Sequence, residues 1–87
     1  MNRDAFVSAL KAEGFDAFVL VTREAGELDE HTHPFEARAL ILSGEIYIRT
    51  ASAERVYRPG DIFQLEANTL HAERYGPQGV QYLVGRR

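Results

Sequence analysis

Past Gly14, no stretch of this chain sustains a helical apolar period. Short apolar and β-branched runs recur instead, roughly ten residues apart, each closed by turn-forming residues. The runs are Ala17 to Thr22, Phe35 to Leu42, Glu45 to Arg49, Arg55 to Arg58, Ile62 to Leu65, Leu70 to Tyr75 and Val80 to Val84. Between them lie Glu24 to Glu30 with its Gly26, Ser43-Gly44, Ala51 to Ala53, Pro59-Gly60-Asp61 and Gly76-Pro77-Gln78-Gly79, all read as turns. Glu45 to Arg49 alternates polar and apolar residues, as a half-buried strand should. About seven such strands predict an all-β sandwich or barrel. Ahead of them, Asn2 to Glu13 reads as a short helix. Asn2 can cap it, Asp4 suits its positive end, Phe6, Ala9, Leu10 and Glu13 follow helical spacing, and Gly14 stops it.

With 87 residues the chain fits one domain. A domain of this size buries only about 60% of the surface its unfolded chain exposes. A bound metal, a partner copy, or both, would add the stability that a small core lacks. The net charge of −3 disfavours non-specific nucleic-acid binding, and the terminal Arg86-Arg87 pair is too short to alter that. No cysteine is present, which removes disulfides, thiolate metal sites and a thiol nucleophile. No signal-peptide pattern is visible at the N-terminus, and the apolar runs fall far short of the ~20 residues of a membrane helix. The expectation is a cytoplasmic protein with neither a nucleic-acid nor a membrane partner.

His31-Thr32-His33-Pro34 carries the most chemistry. In extended chain, side chains two residues apart share a face. Two imidazoles so placed can converge on one ion at about 2.0–2.1 Å. The remaining histidine, His71, enters a later strand that a folded sheet can bring alongside. Glu73 and Tyr75 share strand parity with His71. Glu73 then either faces the cavity as a general acid or base, or is a surface charge. Tyr75 either donates a hydrogen bond to a ligand or sits in the core with its hydroxyl satisfied. Gln64 is a weaker candidate, Asp61 is read as shaping a turn, and alternation puts Arg38 and Arg74 on the outer face.

The run Gly26, His31-Thr32-His33, Ala37, Gly44 resembles the first motif of the cupins. Pro59-Gly60-Asp61, Glu66-Ala67-Asn68 and His71 resemble the second. Together they span Gly26 to Tyr75, and all three histidines fall on family ligand positions. The match departs from the pattern in places. Glu66 and Asn68 stand for Pro and Gly, Tyr75 for a common Asn, and Gly26 is one residue closer to the histidine pair than usual. The family's fourth ligand, a Glu, falls at Ala37. The neighbouring Glu36 has the wrong parity and is read as pointing outward, unless a bulge near Pro34 turns it inward.

The resemblance implies a cupin-type antiparallel jelly-roll β-barrel over residues 15–87, with the helix in residues 1–14. It implies one divalent metal ion (Fe, Zn, Ni, Mn or Cu) on His31, His33 and His71, inside a cavity that takes a small molecule. A metal-dependent dioxygenase or an isomerase or lyase fits that site, with Glu73 and Tyr75 as the catalytic candidates. A non-catalytic ligand-binding or sensing module is the alternative, and a structural metal ranks third. A homodimer is expected on family grounds and because a short barrel leaves edges to cover.

Overall fold

The computed structural model describes residues 2–87. The helix α1 runs Arg3–Ala12. The Asn2 side chain accepts a 2.8 Å hydrogen bond from the Ala5 N–H, which satisfies one of the orphan donors of the first turn. At the other end Gly14 takes φ 97°; its N–H bonds to Lys11 O and that of Phe15 to Leu10 O. This is the paired closure expected where a glycine follows a helix, and Phe15 meets Leu10 across it.

Six antiparallel strands follow: β1 Ala17–Arg23, β2 Gly26–His31, β3 Ala37–Arg49, β4 Glu54–Tyr57, β5 Ile62–Leu65 and β6 His71–Arg86. The long β3 and β6 pair along their lengths and form the spine of the sheet. β1 and β2 flank successive halves of β6, and β5 and β4 flank successive halves of β3.

Two expected turns are corrected. Ser43-Gly44 lies within β3, and Gly76 to Gly79 lies within β6. The ladder runs Gly44 to Val80 and resumes at Ile46 to Tyr75, so the single residue Glu45 faces the four residues from Gly76 to Gly79. The spine bulges there and continues in the same direction. Gly44 and Gly79 both have positive φ, 72° and 74°. A Cβ on Gly44 would fall 2.1 Å from the Gly79 carbonyl oxygen. The expected turn over Glu24 to Glu30 is likewise shorter, because β2 begins at Gly26.

The bulge resets strand parity. Ala37, Ala39 and Ile41 share the inner face with Ile46 and Ile48 on β3; Tyr75 shares it with Val80, Tyr82 and Val84 on β6. The opposite face buries Leu40 and Leu83 under Phe6, Leu10 and Phe15, so α1 packs on the outside of the curved sheet. Arg38 reaches across from β3 to Glu13 at the end of the helix, at 2.9 Å.

The expected antiparallel jelly-roll architecture with one short N-terminal helix is present, and its sheet is not closed. Among the described residues, the β1 and β2 edge forms no ladder with the β4 and β5 edge. A loop contact stands in for one: the Asn68 N–H donates to His33 O at 2.7 Å, with Asn68 itself at φ 63°. Edge pairing is a non-local choice, and β4 and β5 are only four residues each.

Alanine at Gly44 should therefore be far more damaging than alanine at Gly60, which has φ 90° but nothing within 4 Å of an added Cβ. Urea unfolding should show Gly44→Ala losing roughly 3 kcal/mol or more, and Gly60→Ala about 1–2 kcal/mol. Equal losses would contradict the close approach of the two glycines.

Candidate metal centre

His31 ends β2, and His71 opens β6 directly opposite it in the register. His33 follows two residues after His31, where the chain has left the ladder. The ring centroids lie 4.2 Å apart for His31 and His71, 4.9 Å for His31 and His33, and 5.4 Å for His33 and His71. Alternation on β6 then turns Glu73 to the same face. One ligand atom from each of His31, His33, His71 and Glu73 can be chosen such that all lie within 4.8 Å of one another, so the four residues could hold a metal ion.

The proton positions follow from the backbone. His71 Nδ1 faces Thr69 O at 2.9 Å, and His31 Nδ1 faces Asp29 O at 2.7 Å. A carbonyl oxygen only accepts, so each Nδ1 carries the hydrogen. In the neutral rings this leaves the lone pairs on Nε2, the arrangement by which backbone carbonyls orient metal-ligating histidines. Both Nε2 atoms point at Glu73 Oε2, at 3.1 Å from His71 and 3.3 Å from His31. His31 Nε2 is buried and has no aligned hydrogen-bond partner. Two lone pairs against a carboxylate oxygen repel unless a proton or a cation lies among them. Donors bonded to one ion at about 2.0–2.1 Å stand about 3.3 Å apart around a tetrahedral centre, so these separations suit a shared cation.

The electrostatics agree. The Glu73 hydrogen bond raises the His71 pKa, against burial, which lowers it. Burial pushes the Glu73 carboxyl up. The hydrogen bonds from His71 and Tyr75 and the nearby histidines outweigh that, and the net shift is downward. His33 is lowered, first by burial and then by the other two histidines. The Tyr75 hydroxyl donates to Glu73 Oε1 at 3.0 Å, and burial with the Glu73 charge pushes its pKa up to about 12. Tyr75 is thus a neutral donor that holds the carboxylate in place.

The remaining candidates lie elsewhere. Glu36 turns away from the histidines and binds Arg87 and Gln64, both at 2.8 Å. Ala37 lies on the inner face and lines the cavity, with no donor to offer. Asp61 accepts from the Arg58 N–H at 2.8 Å, within a turn. Arg74 lies over the Tyr47 ring at 3.9 Å. What the sequence reading missed is the position of Glu73 among the possible ligands, and Arg23 and Arg86 in the wall of the same cavity. Parity could have found Arg86, since it continues the inward series Val80, Tyr82, Val84.

No protein-family model matches this chain, and no curated protein matches it. Solved structures do. A putative ethanolamine utilization protein Q from Salmonella typhimurium superposes with a TM-score of 0.71 at 16% identity, covering 80% of this chain and 55% of its own. The cupin domain of Cnp3 from Schizosaccharomyces pombe gives 0.73 at 17%, over 85% and 56%. A DUF861 family protein from Thermotoga maritima gives 0.70 at 14%, over 95% and 90%. The chain spans about half the length of the first two. At these identities the likeness speaks for the fold alone. The chain has the fold of a small cupin domain, with a group of three histidines and a glutamate on its inner face.

The shifts also set a pH profile for the metal-free protein. The lowered pKa of His33 means the unfolded chain binds more protons below pH 6.5, so its contribution rises with pH up to that value. The raised pKa of His71 means the folded chain binds more protons above pH 6.5, so its contribution falls as pH climbs through the raised value. In the presence of a chelator, the urea midpoint should peak near pH 6.5. His33→Ala should lose the rising limb and Glu73→Gln the falling one; a monotonic profile in the native chain would contradict the assignment.

Proposed function

We propose that this domain binds one divalent metal ion through His31, His33 and His71, and uses it to act on a small molecule in the adjoining cavity. The observation that carries this reading is the convergence of the His31 and His71 Nε2 atoms on one carboxylate oxygen, each ring held by a backbone carbonyl. Glu73 completes the donor set from β6, on the strand of His71, where the cupin pattern would have placed a carboxylate at position 37. Imidazole and carboxylate together suit zinc, iron, nickel, manganese or copper. When bound, such an ion polarises an oxygen of the ligand or activates a water.

The protein's own part is orientation and exclusion of solvent. Thr69 O and Asp29 O fix two rings, Tyr75 fixes the carboxylate, and Phe63, Leu65 and Val84 supply an apolar wall. A dioxygenase, or an isomerase or lyase, fits this arrangement. Oxygen uptake by iron-loaded protein over a panel of thiols and diketones, and turnover of a sugar panel, tests catalysis. Ligand binding without turnover would transfer the reading to a sensing module.

Metal analysis of protein purified without an affinity tag should find close to one equivalent. His71→Ala, His33→Ala and Glu73→Gln should each weaken zinc binding by more than the roughly 100-fold that marks the upper end for outer partners of a metal site. Glu36→Ala should change it little, since that carboxylate is paired with Arg87. Losses of equal size at Glu36 and His33 would overturn the ligand set.

The proposal includes a homodimer. Among the described residues the outer edge of β1 is unpaired, and Val19 and Leu20 on it are 38% and 46% exposed. Sedimentation at micromolar concentration should give a dimer, and a persistent monomer would reject this part.

A further inference from the structure

The cavity beside the histidines has a volume of about 80 Å³. That is room for about five waters, or for an organic molecule with a similar number of heavy atoms. The charges in its wall are unequal. Glu73 is the one carboxylate among the lining residues, and Tyr75 and the histidines already engage it. Two guanidinium groups, Arg23 from β1 and Arg86 from β6, line the same space.

Arg86 is the more telling of the two. It continues the inward series of β6 past Val84. Its guanidinium lies over the Phe35 ring at 4.6 Å, and the other stacking partner of that ring is His33, at 5.0 Å. This seats the cation beside the histidines. Its Nε is buried and has no hydrogen-bond partner, and among the described residues Arg86 forms no ion pair. Arg38, on the outer face, also has a buried Nε without a partner, but two carboxylates, Glu13 and Glu36, lie at 2.9 and 3.6 Å from its terminal nitrogens, and the contrast with Arg86 lies in those ion pairs. A guanidinium that lines a cavity, with a buried Nε lacking a hydrogen-bond partner and no carboxylate paired to it, suits a planar anion that can accept its hydrogen bonds side by side.

We infer that the ligand of this cavity is a small organic carboxylate, with its anionic end on Arg86 and its carbon body against Phe63, Leu65 and Val84. The apolar wall separates such a ligand from inorganic phosphate, which has no carbon body to bury. The inference rests on the metal reading in one respect: the charge of the ion offsets Glu73, which would otherwise repel the ligand.

Calorimetric titration of the zinc-loaded chain with propionate, propionamide and inorganic phosphate tests it. Propionate should bind at least tenfold more tightly than the other two. Arg86→Gln should weaken propionate at least tenfold while zinc content stays unchanged, and Arg86→Lys should lose several-fold because the planar fork is gone. Equal binding of propionamide or phosphate would overturn the inference, as would unchanged propionate affinity in either variant. Zinc uptake is measured separately on the same samples. Absence of zinc from the native chain would reject the metal reading, and propionate titrated into metal-free native and Arg86→Gln protein would then decide the role of the arginine by itself.

Discussion

The close approach of Gly44 to Gly79 organises this molecule. Among the described residues β3 and β6 are the only strands long enough to cross the whole sheet, and both pass through this contact. Neither position has room for a side chain, and both backbones sit in the left-handed region. The bulge formed there changes the parity of each strand. Odd positions face inward on one side of it and even positions on the other, so one chain direction serves two differently oriented half-sheets. His71 and Glu73 lie on one half; the apolar wall of Val80, Tyr82 and Val84 lies on the other. Curvature, core and cavity therefore share one origin.

The four residues of the candidate centre come from two neighbouring strands and the segment that leaves one of them. That economy has an electrostatic side. A carboxylate held among three imidazoles is stable only if its charge is answered, and here protons and a cation compete for the same lone pairs. The carbonyls of Asp29 and Thr69 bias the outcome by occupying the other nitrogen of two rings. The site is thus arranged before anything binds, which lowers the ordering cost of binding.

Local signals carried much of this in the sequence, and non-local ones did not. The helix and its ends were legible because Asn2, Gly14 and the spacing of Phe6 and Leu10 act within one element. The histidines were legible through parity and through the motif that surrounds them. Glu73 and Tyr75 were visible as inward candidates, but their mutual hydrogen bond, which makes one the positioner of the other, depends on rotamers. Gly76-Pro77-Gln78-Gly79 has the composition of a reversing turn, and only its contact with a distant strand makes it a bulge. The open sheet was invisible for the same reason, because whether two edges meet is decided by curvature rather than by composition. Arg86 is the least legible, because in the sequence it is half of a terminal basic pair, and only the register of β6 makes it a member of the inward alternating series.

At the tip of the bulge, Pro77 and Gln78 are exposed, while Gly76 and Gly79 on either side are buried. The ladders above and below them are anchored independently, by β1 on one side and β2 on the other. Extra chain spliced between Pro77 and Gln78 would project into solvent without shifting either register. The fold therefore contains a graft point at which length can vary freely between the half of β6 that bears the histidine and the half that builds the core.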